Sequence, residues 1–137
     1  MLLASACVSA HVSYAPPPDR GAPSIPWVRS GIATGYLFYY GAKGPWKDRP
    51  HQVIVPTHGV SGAGSSTKIL WHVRGGHGRV RISGTQLDGA GSFTQTYSGI
   101  PGAYFPSYLV VPSAGCWRVT VASAGHRASF AFAAVDL

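Results

Sequence analysis

Six histidines are the residues of this chain best suited to bind a transition metal, and two of them stand close together in the sequence. His72 and His77 bracket a predicted β-hairpin, whose glycine-rich turn, Gly75–Gly78, includes His77. Neutral imidazole is a good ligand for copper or zinc, so a surface pair across this turn is one hypothesis for a metal site. The spacings His-x-x-x-His and Cys-x-x-Cys do not occur, which disfavours a metal centre. We therefore predict no metal and no other cofactor, with both histidines as polar strand residues.

Carboxylates for acid–base catalysis are scarce. The chain has four aspartates, Asp19, Asp48, Asp88 and Asp136, and no glutamate. A glycosidase needs two carboxyl groups about 5 to 9.5 Å apart, whereas these four are scattered along the sequence and lie in predicted loops or near the chain ends. The nucleophile elbow, the phosphate loop and the dinucleotide fingerprint are also absent from the sequence. We predict that the protein is not an enzyme; the alternative is a hydrolase with an unrecognised acid or base.

Aromatic and basic side chains offer a surface for non-catalytic binding. Exposed aromatic rings bind sugar rings or partner proteins, and Trp46 stands in a Gly-Pro-Trp-Lys loop that favours exposure. The net charge is +7 without any two adjacent Lys or Arg residues, so a nucleic-acid partner is not expected, whereas an anionic envelope polymer or lipid headgroups suit the basic strand positions. In the alternative interpretation the aromatic rings fill the core. The candidate surface comprises Trp46, Tyr39, Tyr40, Lys68, Arg79 and Arg81.

The N-terminal residues predict export. In residues 1–7, small side chains precede Cys7, as at the end of a lipoprotein signal, where the cysteine becomes lipidated. Residues 8–24 are rich in proline and predict an extended tether, followed by a folded domain over residues 25–137. Lipidation of Cys7 leaves Cys116 alone as a buried small hydrophobe. If neither cysteine is modified the two can pair, although a long proline tether disfavours a constrained bridge.

Alternation of apolar and polar residues indicates the fold class. It is clearest over residues 116–121, where Trp117, Val119 and Val121 share the predicted buried face. Similar runs between Gly and Pro turns predict about seven to nine short strands, without any long helical period. We predict an all-β fold of two stacked antiparallel sheets, with a small closed barrel as the alternative. The predicted strands are residues 27–29, 35–40, 52–55, 67–74, 79–84, 92–97, 107–111, 116–121 and 127–135.

The run Ala-Gly-Cys-Trp-Arg-Val-Thr at residues 114–120, between Pro112 and the Ala124-Gly125 turn, resembles the last part of an immunoglobulin-like β-sandwich in bacterial secreted proteins. It is similar to a run in uncharacterised cell-envelope lipoproteins. The resemblance implies a fold and a location but no activity. We expect a non-catalytic binding or structural module, secreted or held at the envelope by a lipid on Cys7, whose partner is another envelope protein or an anionic envelope polymer. The alternatives are an extracytoplasmic metal-binding protein and a carbohydrate- or envelope-polymer-binding module.

Overall fold

The computed structural model describes residue 7 and residues 9–19, 22–41, 44–60 and 66–137, so residues 1–6 of the signal-like segment lie outside the described residues. The described part of the chain forms strands and three short 3₁₀ helices, Phe38–Gly41, Pro45–Lys47 and Thr57–Gly59. Among the residues described, no helix has the length and apolar character needed to cross a bilayer. The strands are β1 (Trp27–Ser30), β2 (Ala33–Leu37), β3 (Ile54–Pro56), β4 (Lys68–Val73), β5 (Arg79–Gln86), β6 (Ser92–Ser98), β7 (Tyr104–Tyr108), β8 (Gly115–Ser123) and β9 (His126–Val135).

These strands form two sheets, which confirms the predicted all-β sandwich. The front sheet has the order β1-β2-β4-β7, and the back sheet has the order β3-β9-β8-β5-β6. All neighbours are antiparallel except β3 and β9, which run parallel. The sequence predicted antiparallel pairing throughout; the parallel pair is possible because most of the domain lies between β3 and β9 and provides the long connection that such a pair needs.

Large apolar side chains fill the space between the sheets. Trp117, Val119 and Val121 of β8 are all fully buried, as the alternation in the sequence predicted. Trp71 of β4 enters the same core from the front sheet and lies over Gly35, where a Cβ atom would come within 2.7 Å of the indole ring. Glycine at position 35 therefore gives the indole the room it needs. Burying each large apolar side chain contributes roughly 1.5–3 kcal/mol to folding.

The segment between β4 and β5 connects the two sheets, so the predicted hairpin is wrong. β4 pairs with β2 and β7 in the front sheet, whereas β5 pairs with β6 and β8 in the back sheet. Both edges of each strand are occupied, so the two strands cannot pair with each other. Gly75 and Gly78 have positive φ angles, 84° and 74°, that glycine adopts without strain, and they allow the chain to change sheets here.

Strand β7 lies earlier in the chain than the sequence indicated. The predicted strand covered residues 107–111, but the front sheet pairs residues Tyr104–Tyr108, with Pro106 opposite Leu70 of β4. Proline lacks an N–H group and is tolerated on an edge strand, where one side of the backbone needs no partner in the sheet. β7 is such an edge, which explains why Pro106 does not end the strand.

The predicted tether is part of the folded domain where the structure describes it. The N–H of Ala10 donates to the carbonyl of Ala131 in β9 at 2.7 Å, and the carbonyl of Ala10 accepts from the N–H of Val53 at 3.2 Å. The segment thus bonds to the back sheet beside β3. The domain begins before the predicted boundary at residue 25, because these backbone groups find partners that a solvated tether would not have.

The same segment then reaches the front sheet. The N–H of Val12 donates to the carbonyl of His51 at 2.9 Å, and Ser13 exchanges two backbone hydrogen bonds with Trp27 of β1, at 2.8 and 3.0 Å. The Val12 side chain is fully buried in the core. Residues 10–13, which we call the seam segment, therefore bond to both sheets along one open side of the sandwich.

A disulfide joins Cys7 to Cys116 at the start of β8, with 5.5 Å between the two Cα atoms and 109 residues of sequence separation. The prediction of lipid on Cys7 is wrong for this structure, because a sulfur in a disulfide cannot also carry the thioether of a lipid anchor. The structure has the other arrangement that the sequence left open, in which neither cysteine is modified and the two pair. Closing a loop of this length removes about 4–5 kcal/mol of chain entropy from the unfolded state in the simplest model.

Shortening Val12 tests whether the seam segment belongs to the core. We expect Val12→Ala to lower the free energy of unfolding by about 2 kcal/mol, because a fully buried side chain loses apolar contacts and leaves a cavity. Urea denaturation of the oxidised protein provides the measurement. Val60, whose side chain is 52% exposed, is the matched control; Val60→Ala should change the free energy by less than about 0.5 kcal/mol. Equal effects of the two substitutions would show that the segment does not stabilise the fold.

Candidate functional site

One row of polar side chains crosses the outer face of the front sheet. Arg29 of β1 lies opposite Thr34 of β2, Thr34 opposite His72 of β4, and His72 opposite Tyr104 of β7. Directly opposed residues in antiparallel strands point to the same face, with Cβ atoms about 4.5–5.5 Å apart. The rings of His72 and Tyr104 are in contact, with centroids 4.8 Å apart. The register of four strands thus places a cation, a hydroxyl, an imidazole and a phenol side by side.

Asp19 lies over this row and connects three of the strands. One carboxylate oxygen accepts hydrogen bonds from the hydroxyls of Tyr36 and Tyr104, the latter at 3.0 Å. The other lies 3.6 Å from Nδ1 of His72. Asp19 was assigned to the tether, yet the proline-rich segment brings it onto the sheet. The contact with Asp19 is consistent with the full burial of Tyr36, which belongs to the outer face of the sheet.

A cleft of about 160 Å³ opens beside the row. Arg29 and Arg74 carry its positive charge, and Asp19 carries its negative charge. Nε of Arg29 donates to the carbonyl of Gly31 at 3.3 Å, and the backbone N–H of Arg74 donates to the carbonyl of Ile32 at 3.0 Å. The turn between β1 and β2 therefore positions both arginines. The cleft is lined by Pro18, Asp19, Arg29, Ile32, His72 and Arg74.

The structure does not form the predicted pair of His72 and His77. His72 contacts Asp19 and Tyr104 on the front sheet. His77 lies in the segment that crosses to the back sheet, where its backbone N–H donates to the hydroxyl of Ser123 at 3.1 Å. Among the described residues, no three His, Cys, Asp or Glu side chains come together as metal ligands. The hairpin on which the metal hypothesis depended is absent, because β4 and β5 lie in different sheets.

The predicted aromatic surface is buried. Tyr39, Tyr40 and Trp46 are only 3%, 8% and 2% exposed, and the Trp46 ring stacks on Tyr40 with the centroids 5.3 Å apart. These rings therefore do not form the candidate ligand platform, and the interpretation that they fill the core, which the sequence favoured, is the correct one. The chain leaves β2 after Leu37 and enters the 3₁₀ helix Phe38–Gly41, which turns both tyrosines toward the core.

The hydroxyls of these tyrosines bond to the backbone at β3. Tyr39 donates to the carbonyl of Ile54 at 2.9 Å, and the hydroxyl of Tyr40 accepts from the N–H of Ile54 at 2.8 Å while donating to the carbonyl of Gln52. The two phenol hydroxyls thus provide the hydrogen bonds to Ile54 that a neighbouring strand would otherwise make. Burial raises the pKa of both hydroxyls, and the charge of Tyr40 contributes further to the raised pKa of Tyr39.

The predicted basic residues do not share one face. Lys68 lies on the outer face of the front sheet, with Nζ 4.8 Å from the centroid of the Phe38 ring. Arg79 and Arg81 are exposed positions of β5, in the back sheet. The sequence placed all three on one outward surface because it predicted β4 and β5 as a hairpin. The sandwich separates them onto opposite sides of the molecule.

A second concavity, which the sequence did not suggest, lies beside the disulfide. It measures about 340 Å³, and its walls include Cys7, Cys116, Arg49, Gln52 and Asp88. One oxygen of the Asp88 carboxylate accepts from the N–H of Cys116 at 2.9 Å, so this aspartate stabilises the start of β8. The sequence assigned Asp88 to a solvated turn. Its long-range partner depends on the pairing of β5 with β8.

Comparison with known proteins adds no family to these observations. A scan against protein-family models, a search of curated proteins and a search of solved structures each found no match. The resemblance of residues 114–120 to envelope lipoproteins with an immunoglobulin-like fold therefore stays a prediction. The two-sheet fold rests on the strand pairing described above.

The buried tyrosines predict a loss of stability at alkaline pH. An unfolded tyrosine ionises near pH 10, whereas Tyr39 and Tyr40 keep their protons to higher pH in the folded protein. Their contribution is fully present below about pH 10 and is lost as the pH rises toward the folded pKa, because the folded state then binds more protons than the unfolded state. We expect the free energy of unfolding to fall by about 0.7 kcal/mol per pH unit near pH 10, and by about 1.4 kcal/mol per pH unit above about pH 11, for each of these tyrosines.

Urea denaturation at several pH values between about 9 and 12 measures this slope, and its full value is read above about pH 11. Tyr39→Phe removes one ionisable group and should reduce the slope by about 1.4 kcal/mol per pH unit, although it also removes the hydrogen bond to Ile54 and lowers stability at neutral pH. An unchanged slope in Tyr39→Phe would contradict the burial of this hydroxyl.

Proposed function

We propose that this protein is a non-catalytic binding module that works outside the cytoplasm. The observation that carries the proposal is the disulfide between Cys7 and Cys116, the only two cysteines of the chain. Disulfides form and persist in oxidising compartments, such as the periplasm and the extracellular space, and are rare in the cytosol. The bond joins the residue that lies three positions before the seam segment to a central strand of the back sheet, so it links two parts of the folded domain.

The partners of three of the four aspartates favour a structural role for these carboxylates over a catalytic one. Asp88 accepts from the N–H of Cys116, Asp136 accepts from the hydroxyl of Thr57 at 2.7 Å, and Asp19 accepts from two tyrosines. Each of these groups therefore holds distant parts of the chain together. A pair of carboxylates placed for acid–base work would instead need a free proton-transfer position within reach of a substrate.

The disulfide and the buried aromatic rings narrow the proposed location and the proposed class of partner. Cys7 is oxidised, so the proposed module is secreted or associated with the envelope through a partner and not through a lipid on this residue. A sugar platform built from Tyr39, Tyr40 and Trp46 is not proposed, because these rings are buried. Another envelope protein or an anionic envelope polymer is the partner class that suits a chain of net charge +7.

The oxidation state of the cysteines in the cells that produce the protein tests this proposal. We expect maleimide added at lysis to label no cysteine, and to label both after reduction under denaturing conditions, because the disulfide forms outside the cytoplasm. Mass spectrometry of the intact protein counts the labels and also detects any lipid on Cys7. A Cys116→Ser variant is the control, since it should expose one reactive thiol without reduction. Two labels before reduction would place the protein in a reducing compartment and overturn the proposal.

A further inference from the structure

We propose that the cleft between Arg29, His72 and Arg74 binds a phosphate group, either as the free anion or as a unit of an anionic polymer. This phosphate site would define the class of ligand that the binding module proposed above recognises, and the inference rests on that proposal. Arg29, His72 and Arg74 line one cleft beside the outer face of the front sheet. Guanidinium groups provide several N–H donors in a planar arrangement that matches phosphate oxygens.

The cleft has room for a small anion. It measures about 160 Å³ and opens to solvent. A phosphate group has five non-hydrogen atoms and fits this space. A polymer would therefore place one phosphate in the cleft, with its neighbouring units lying across the sheet surface.

The charges of the cleft favour an anion although Asp19 belongs to its lining. Arg29 and Arg74 contribute two positive charges against the single negative charge of Asp19. One oxygen of Asp19 is engaged by the hydroxyls of Tyr36 and Tyr104, and the other faces His72. The carboxylate is thus stabilised by the protein itself, and two exposed guanidinium groups beside it are available to solvent. The net charge of +7 attracts anions to the molecule as a whole.

The fold fixes the backbone positions of three residues that line the cleft. Arg29 and His72 flank Thr34 in the row across β1, β2 and β4, and the Arg29 side chain also bonds to the carbonyl of Gly31. The backbone of Arg74 is tied to Ile32 in the same turn. Such an arrangement reduces the entropy lost when an anion binds.

Titration of the oxidised full-length protein with inorganic phosphate tests the site directly. We expect a dissociation constant on the order of 1 mM at low salt, measured by calorimetry and by amide shifts of Gly31, Ile32 and Arg74 in NMR spectra. Arg29→Gln and Arg74→Gln should each weaken binding about tenfold, because each removes a charge-assisted hydrogen bond.

Arg81→Gln is the matched control, because it removes the same charge from an exposed position of the back sheet. We expect it to weaken binding less than about twofold, through the change in net charge alone. An equal loss in all three variants would show attraction by the overall charge and would overturn the site, as would amide shifts that avoid the cleft.

A soluble phosphodiester oligomer separates the two sources of the phosphate. Tighter binding of the oligomer than of inorganic phosphate, with the same losses in Arg29→Gln and Arg74→Gln, identifies a polymer-borne group; tighter binding of inorganic phosphate identifies the free anion. If neither inorganic phosphate nor the oligomer binds, the proposed phosphate site is overturned. The extracytoplasmic location proposed above is tested by the state of Cys7 and Cys116, so failure of one proposal does not decide the other.

Discussion

The structure depends on the attachment of its N-terminal residues to both sheets. The disulfide from Cys7 to Cys116 and the hydrogen bonds of residues 10–13 hold this part of the chain along one side of the sandwich. With Val12 buried, the segment closes the core where the sheets would otherwise expose their edges. The same attachment brings the following proline-rich residues, including Asp19, onto the outer face of the front sheet. Stability and the candidate site therefore have a common origin.

Exposed strand edges explain the use of the aromatic residues. β3 is three residues long and pairs with β9 on one side only. Tyr39 and Tyr40 provide hydroxyls to its backbone on the other side, and Trp46 packs against both rings. A buried backbone group without a partner costs roughly 1–3 kcal/mol. The hydrogen bonds from the two tyrosines avoid a cost that is similar in size to the loss of one buried apolar side chain. This use leaves these rings unable to serve a ligand.

Polar groups on the front sheet have a different role from those of the core. Asp19, His72 and Tyr104 join the proline-rich segment to β4 and β7, and their interactions stabilise the docked chain. Arg29 and Arg74, at the border of this network, keep exposed guanidinium groups. The division matters for function, because a charge engaged inside the protein stabilises the fold, whereas a charge held at a cleft by its backbone is available to a ligand.

The sequence by itself determined most of the strands and the buried face of the clearest one, β8. Alternation with period two predicted that Trp117, Val119 and Val121 point inward, because neighbouring side chains of a strand must face opposite sides. It also indicated the fold class, since a chain of short alternating runs can bury its apolar faces only by stacking sheets. It did not decide which sheet contains β4 and which contains β5, nor that Cys7 would meet Cys116. Those pairings arise only from the order of strands in the sheets, because contacts between distant residues depend on how the whole chain packs and leave no local pattern.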